Sequence, residues 1–171
     1  MINNNLLVIR DYTSADIEII AQKQEELINF HFKIDPSYYK PSINAQEEIK
    51  EFLKRKLNDK NFKLLLVLYH KEVIGYVMGW MTERPPIYFY RKVGYLSNIY
   101  IDDKYRGLGI GSKIFKVLEK WFIEKKATFI EIKADSENED TIKSFIAFGF
   151  SMKIRGFYKK IETNITQIFN D

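Results

Sequence analysis

The sequence contains no cysteine, and only two of its 171 residues are histidine. The missing thiol excludes disulfides, thiolate metal sites and any cysteine nucleophile. His31 and His70 are too few to build a histidine-rich metal centre. We therefore expect no bound metal and no covalent intermediate on a cysteine of the protein.

Long apolar runs are also missing. The longest run, Leu64–Leu68, has the length of a strand and is far too short for a membrane span. The opening residues, Met1–Asn5, lack the charged and apolar regions of a secretory signal. These absences predict a cytoplasmic protein without a membrane partner.

Charge of one sign is not concentrated anywhere in the chain. Lysine and arginine number 27 against 23 acidic residues, and the two signs are mixed along the sequence. A nucleic-acid-binding surface gathers its basic residues on one face, so we expect no nucleic-acid partner. The length and the 46% hydrophobic content predict one domain over residues 1–171, with its core at about 6–160.

Apolar periodicity predicts strands and helices in the order βααβββαβαβ. The corresponding fold class is α/β, with a mixed central sheet flanked by about four helices. The predicted strands are 6–10, 62–69, 73–81, 93–101, 128–133 and about 150–160. The predicted helices are about 14–31, 44–57, a helix that carries Ile110 to Trp121, and 138–148. A loop is predicted over 33–42, where two prolines occur.

A glycine-rich turn, Arg106-Gly-Leu-Gly-Ile-Gly111, joins the strand at 93–101 to the next helix. The first N–H groups of a helix have no partner within it and lie at the positive end of its dipole, so they attract phosphate. The spacing matches neither a Walker A loop nor a dinucleotide fingerprint. The turn predicts a site for the pyrophosphate of a nucleotide-like cofactor. The alternative is that the glycines only allow a tight turn between strand and helix.

Arg106, Gly109 and Gly111 match the pattern Arg/Gln-x-x-Gly-x-Gly/Ala. Farther along, residues 138–150 are similar to a helix of the form Asn-x-x-Ala-x-x-x-Tyr-x-x-x-Gly-Phe. With two separated motifs in order, the chain resembles the GCN5-related N-acetyltransferases over about residues 6–160.

The resemblance implies acetyl-CoA as co-substrate and direct transfer of its acetyl group to a primary amine of a small molecule or peptide. It also implies a set of cofactor-binding residues. Main-chain groups of Ile99, Tyr100 and Ile101 would hold the pantetheine arm. Arg106, Gly107, Leu108, Gly109, Ile110, Gly111 and Ser112 would bind the pyrophosphate, and Asn138 and Phe145 would line the far side.

The resemblance leaves the acid and the base open. Many members place a tyrosine acid where this chain has Phe145, which donates no proton. The position of the family's base corresponds to Tyr95, with Ser97 one pleat further along the same face. Glu83, at the end of the preceding hairpin strand, and Glu131 are the alternative carboxylates.

Phe145 and the missing carboxylate at Tyr95 also allow a second interpretation. The chain could bind CoA without catalysis, as a sensor or a partner-binding module. Tyr88, Phe89 and Tyr90 lie together before the strand at 93–101, and such a group of aromatics is typical of an interface. We therefore expect a homodimer.

Overall fold

The computed structural model describes residues 6–161. The chain forms two compact units, of which the first ends at Asn138 and the second begins at Glu139. The strands of the first unit are β1 (Leu7–Asp11), β2 (Phe62–Tyr69), β3 (Glu72–Glu83), β4 (Lys92–Ile101) and β5 (Phe129–Glu131). Its α-helices are α1 (Ile17–Ile34), α2 (Ala45–Lys56) and α3 (Ile110–Glu124), and the second unit contains α4 (Glu139–Ala147).

The five strands form one mixed sheet in the order β1-β2-β3-β4-β5. The first three pairings are antiparallel, and β4 pairs with β5 in parallel. Parallel neighbours need a crossover between them, and α3 supplies it. The predicted α/β class with a mixed sheet and four helices is confirmed.

The two faces of the sheet are covered by different helices. Ile20 of α1 and Leu53 of α2 are fully buried in one cluster with Tyr76 of β3. On the opposite face, Phe122 of α3 lies so close to β4 that a Cβ at Gly94 would be 2.4 Å from its ring. Any larger residue at Gly94 would force α3 away from the sheet.

A β-bulge interrupts the pairing of β3 with β4. Met78 pairs with Asn98, whereas the next residue, Gly79, pairs with Leu96, so Ser97 is the extra residue. An inserted residue reverses the alternation of side chains along the strand. Tyr95, beside Trp80, therefore faces the α1 side of the sheet together with Asn98 and Tyr100 beyond the bulge.

The first helix is shifted toward the C-terminus relative to its prediction. Residues 14–16 form a 3-10 turn, and α1 extends to Ile34, past the predicted end at residue 31 and into the predicted loop. Asp35 then adopts an extended conformation, with φ −138° and ψ 96°. Because Pro36 disfavours the helical conformation of the residue before it, the helix ends here and not earlier.

The second unit corrects one prediction. The strand expected at about 150–160 is absent from the described chain, where residues 151–161 have exposed side chains and no regular secondary structure. The alternation of Phe150, Met152 and Ile154 favours a strand locally, but a strand persists only where another strand supplies hydrogen bonds. That partner is a property of the tertiary structure and leaves no local signal.

The first connection of the chain depends on a nearly buried carboxylate. Asp16 accepts two hydrogen bonds from the Arg10 guanidinium, both 2.8 Å, and two more from the N–H and hydroxyl of Thr13, also 2.8 Å. The hydrogen bonds from Arg10 lower the pKa of Asp16 to about 2. The carboxylate thus joins the end of β1 to the turn that begins α1.

Asp16→Asn should lower the free energy of unfolding at pH 7 by about 2 kcal/mol, since a pKa depressed by nearly two units stabilises the fold by that order. A depressed pKa stabilises the fold at pH values above the pKa that Asp16 has in the unfolded chain. This contribution is lost as the pH falls toward about 2. In urea titrations, the difference between wild type and variant should shrink between pH 5 and pH 3. A constant difference, or an equal loss in the exposed control Asp11→Asn, would contradict this origin.

Helices α3 and α4 end in the same type of hydrogen-bonded turn, but a different residue occupies its left-handed position. After α3, the N–H of Ala127 donates to Phe122 O at 3.0 Å, and Lys126 has a φ of 62°. After α4, Phe150 donates to Phe145 O at 3.0 Å, and the corresponding left-handed position is Gly149, with a φ of 92°. Lysine at such a position is strained, whereas glycine is not.

Lys126→Gly should therefore raise the free energy of unfolding by roughly 0.5–1 kcal/mol by relieving the left-handed strain. Thermal and urea denaturation measure the gain. Lys126→Ala is the matched control, because it removes the same charge but keeps a Cβ at a φ of 62°. Equal gains in both variants would show that charge, and not backbone conformation, is responsible.

Candidate active site

An opening lies between β4 and β5. β5 pairs with β4 only from Val93 to Tyr95, and then ends at Glu131. β4 continues to Ile101, and in the described chain no strand pairs with this part of its β5-facing edge. Such an edge accepts an extended chain of amides through main-chain hydrogen bonds. The expected ligand groups of Ile99 and Ile101 lie on this unpaired stretch.

The glycine-rich turn leads from this edge into α3. Gly107 and Gly109 have φ angles of 72° and 75°, and a Cβ at either would meet open space. Backbone conformation, and not crowding within the protein, is therefore what requires glycine at both positions. Gly111 lies inside the first turn of α3.

The start of α3 has the chemistry of an anion site. The first hydrogen bond of the helix runs from Lys113 N–H to Gly109 O at 3.2 Å, so the N–H groups of residues 110–112 precede the helical ladder. Among the residues that the structure describes, no side chain caps Gly109, and the first turn of α3 contains no acidic residue. A pyrophosphate would find backbone donors and the positive end of the dipole here.

Arg106 connects the strand edge with the helix start. Its Nε donates to Ile101 O at 2.9 Å, and its guanidinium pairs with Asp103 at 2.8 Å. The guanidinium carbon also lies 5.9 Å from the centre of the Tyr100 ring. Arg106 is half-exposed, so its charge remains available to a phosphate while its Nε holds the end of β4.

Two contacts attach α1 to the end of β4. Lys23, only 8% exposed, pairs with Asp102 at 2.6 Å, and the Tyr100 hydroxyl donates to the Glu26 carboxylate. Burial, together with Glu26, raises the pKa of Tyr100, so its hydroxyl remains a donor. Asp102 begins the turn that carries Arg106. These contacts hold the end of β4 and the start of the turn that carries Arg106 against α1.

Sequence reasoning missed both contacts, because the partners are 79 and 74 residues apart. One signal was available: Lys23 interrupts the buried stripe of α1 between Ile20 and Leu27. A charge on a buried helix face requires a partner of opposite sign. The identity of that partner is visible only in the tertiary structure.

The same two contacts give the direction of α1 over β4. Three residues forward on the helix, from Lys23 to Glu26, correspond to two residues back on the strand, from Asp102 to Tyr100. The helix is therefore antiparallel to the strand. One further turn, about 6 Å, brings Phe30 to the level of Asn98, about 6.6 Å back along β4. This spacing puts the last turns of α1 at the level of the bulge along β4.

The structure brings two of the three catalytic candidates together. The Tyr95 ring packs against Trp80, with centroids 5.0 Å apart, at the level where β5 ends. Ser97 is the bulged residue, and its hydroxyl donates to Asn98 Oδ1 at 2.6 Å. Both lie beside the opening, on the α1 side.

Glu83 lies away from them. It pairs with Lys92 in the sheet and forms an ion pair with Arg91 at 2.7 Å. Lys92 precedes Ser97 by five residues, about 16 Å along the strand. The other carboxylate, Glu131, accepts a hydrogen bond from Arg84 Nε at 3.0 Å. Both carboxylates therefore have arginine partners.

The two residues expected on the far side of the cofactor fall in different units. Asn138 is the last residue of the first unit, where its N–H donates to Asp135 O at 3.1 Å. Phe145 belongs to the second unit, where its ring packs against Phe148 and Phe150 at 6.2 and 5.8 Å. Their roles toward a cofactor stay predictions.

Residues 6–161 contain no group of three or more histidine, cysteine, aspartate or glutamate side chains that could hold a metal ion. No helix in this range is both long and apolar enough to cross a bilayer.

Solved structures with this fold include several acetyltransferases. A four-fold mutant of the BH1408 protein from Bacillus halodurans is 20% identical, with a TM-score of 0.79, over 90% of this chain and 99% of its own. A protein described as a predicted acetyltransferase from Clostridium acetobutylicum, solved with acetyl-CoA, is 18% identical, with a TM-score of 0.72, over 90% and 96%. The aminoglycoside N-acetyltransferase AAC(6')-Iy, bound to the bisubstrate analogue CoA-S-monomethyl-acetylneamine, is 14% identical, with a TM-score of 0.72, over 92% and 99%.

A family model gives the assignment that these distant structures cannot give alone. The model of the acetyltransferase (GNAT) family matches residues 25–150, well over half of the chain, and this range includes the opening, the glycine-rich turn and α3. This chain belongs to the acetyltransferase (GNAT) family.

Proposed function

We propose that the protein is an acetyl-CoA-dependent N-acetyltransferase that acts on a primary amine of a small molecule or peptide. One observation carries the proposal. The unpaired edge of β4 leads directly into the uncapped, glycine-rich start of α3. A ligand with an extended diamide arm followed by a pyrophosphate matches that order of groups, and acetyl-CoA has this construction.

The main chain would do most of the binding. N–H and C=O groups of Ile99 and Ile101 would pair with the amides of the arm, as another strand would. Residues 106–112 would bind the pyrophosphate with backbone N–H groups and the Arg106 charge. Because Ile101 O already accepts from Arg106, the arm would share that carbonyl with the guanidinium.

Acetyl-CoA supplies a thioester whose carbonyl carbon the amine attacks. The new C–N bond forms as the C–S bond breaks, the electron pair leaves on sulfur, and the ammonium proton passes to a base. Ser97 and Tyr95 lie beside the opening, so their hydroxyls would position a water molecule that accepts this proton. Glu83 and Glu131, each bound by an arginine, are less suited to the role.

Two solved structures with this fold contain groups of the kind that the proposed reaction uses. The Clostridium acetobutylicum protein was solved with acetyl-CoA, and AAC(6')-Iy with an analogue that joins CoA to an acetylated aminoglycoside fragment. At identities of 18% and 14% they support a shared fold, and the amine of this chain is a separate question.

A second candidate is a CoA-binding protein without catalysis. Phe145 stands where the family resemblance implies a proton-donating tyrosine, and the two candidate carboxylates, Glu83 and Glu131, have arginine partners. Such a protein would bind acetyl-CoA at the same edge and helix start. The two functions therefore differ in turnover and not in cofactor binding.

To test cofactor binding, we expect Gly109→Ala to weaken acetyl-CoA affinity at least about tenfold, because alanine resists a φ of 75° and the donors of residues 110–112 would be turned away. Isothermal titration calorimetry measures the affinity. Gly149→Ala is the control, since that glycine also has a positive φ and open space around it. Equal losses in both variants would point to general destabilisation.

Turnover is measured as thiol release from acetyl-CoA with a pooled panel of amines. The chain has no cysteine, so the protein adds no thiol of its own. Amine-dependent release would establish the transferase, and division of the pool would identify the acceptor. Binding of acetyl-CoA without release on any amine would favour the non-catalytic candidate.

We also propose a homodimer formed through the β3–β4 connection. Phe89 is 91% exposed there, and Ile87, Tyr88 and Tyr90 are exposed beside it. Burying one such aromatic contributes about 2 kcal/mol, so Phe89→Glu should convert a dimer to monomers. Light scattering after gel filtration measures the mass, with the exposed Val8→Glu as control. A wild type that runs as a monomer at micromolar concentration would refute the proposal.

A further inference from the structure

We infer that Tyr39 and Asp135 form a clasp across the opening between β4 and β5, and that this clasp limits the size of the acceptors that reach the bulge. The Tyr39 hydroxyl donates to Asp135 Oδ2 at 2.9 Å. The inference rests on the proposed transfer reaction, because it concerns the amine that would enter this opening.

The two residues approach from opposite sides of the opening. Tyr39 follows α1, which is attached to β4 through Lys23 and Glu26. Asp135 lies four residues beyond Glu131, where β5 ends. The hydrogen bond thus joins the β4 side to the β5 side at the end of the strand pairing.

The acceptor must enter on the side where the clasp lies. On the α3 side, Leu96 and Phe122 are fully buried and fill the space beside the sheet. On the α1 side, Ser97 and Asn98 at the bulge are only half-buried. The Tyr39 ring packs against His31 of α1 on this side and its hydroxyl reaches Asp135, so an amine that approaches the bulge from here passes the clasp.

Both partners are held in place by their own surroundings. Asp135 Oδ1 accepts from the Glu137 N–H at 2.8 Å, so the carboxylate is oriented before Tyr39 binds it. The Tyr39 ring packs against His31 at 5.1 Å and Tyr38 at 4.9 Å. Breaking the clasp therefore displaces an aromatic group, which a bulky acceptor would have to do and a small one would not.

The electrostatics keep the clasp closed near neutral pH. Burial and the hydrogen bond to Asp135 raise the pKa of Tyr39 to about 12, so the phenol remains protonated. Burial lowers the pKa of His31, and the Asp135 charge opposes this shift. A neutral His31 does not compete with the phenol for the Asp135 carboxylate.

The absence of cysteine permits a test that needs no enzyme activity. Ser97→Cys puts a single thiol at the bulge, and its alkylation is followed by mass spectrometry with iodoacetamide and with fluorescein maleimide. Adding Tyr39→Phe should raise the maleimide rate about tenfold and change the iodoacetamide rate less than twofold. The exposed Ser14→Cys and the neighbouring Tyr38→Phe are the matched controls, and neither should show this selectivity.

Asp135→Asn is the second variant, in case Tyr39→Phe perturbs the fold, and circular dichroism with thermal melting checks both. An unchanged maleimide rate in two folded variants would overturn the clasp. A rise equal for both reagents would overturn it too, because it would indicate general loosening and not a size filter.

Activity then separates this inference from the proposed function. With a small primary amine and an aminoglycoside as acceptors, Tyr39→Phe should raise kcat/KM about tenfold for the aminoglycoside only, at an unchanged KM for acetyl-CoA. No transfer by the wild type would refute the proposed function, while the alkylation rates still decide on the clasp. If the wild type transfers acetyl groups but Tyr39→Phe leaves the ratio of kcat/KM for the two acceptors unchanged, only the inferred effect of the clasp on acceptor size is refuted.

Discussion

The architecture depends on a mismatch in strand length. β4 has ten residues, but its parallel neighbour β5 has only three, so the pairing ends at Tyr95 and Glu131. Unpaired main-chain donors and acceptors favour another extended chain. Because β4 then leads into the glycine-rich start of α3, the main-chain groups proposed to bind an amide arm and a pyrophosphate follow one another along the backbone.

The contacts around the opening are long-range and mostly polar. Lys23 and Glu26 hold α1 over the end of β4, and Tyr39 reaches Asp135 beyond β5. A buried charge without its partner is costly, so the nearly buried Lys23 requires Asp102, which begins the turn before the glycines. Helix α1 is therefore attached to the segment that leads into the loop proposed to bind the cofactor. A substitution that displaces α1 would therefore also displace this loop.

Much of the fold could be predicted from local pattern. The β2 prediction has the observed ends, Phe62 and Tyr69, because an apolar run followed by a tight turn leaves little freedom. The start of α3 could be predicted from the glycines, because Gly109 adopts the left-handed φ of the turn and the helix begins at the next residue. The bulge at Ser97 could not be predicted, since it depends on the register with β3. The strand at 150–160 was wrong for the same reason: periodicity describes one chain segment, whereas a strand needs two.

The sequence by itself determined the family, the order of most elements and the position of the glycine-rich turn. Each of these is carried by residues close together in the chain, where conformational preference and hydrogen bonding act locally. Only the tertiary structure decided which side chains surround the opening. It made Ser97 a bulged residue, placed Tyr95 against Trp80, paired Glu83 with Arg91, and joined Lys23 to Asp102 and Tyr39 to Asp135. Such pairings form between residues dozens of positions apart, and their free energy depends on distances and burial that exist only once the chain has folded.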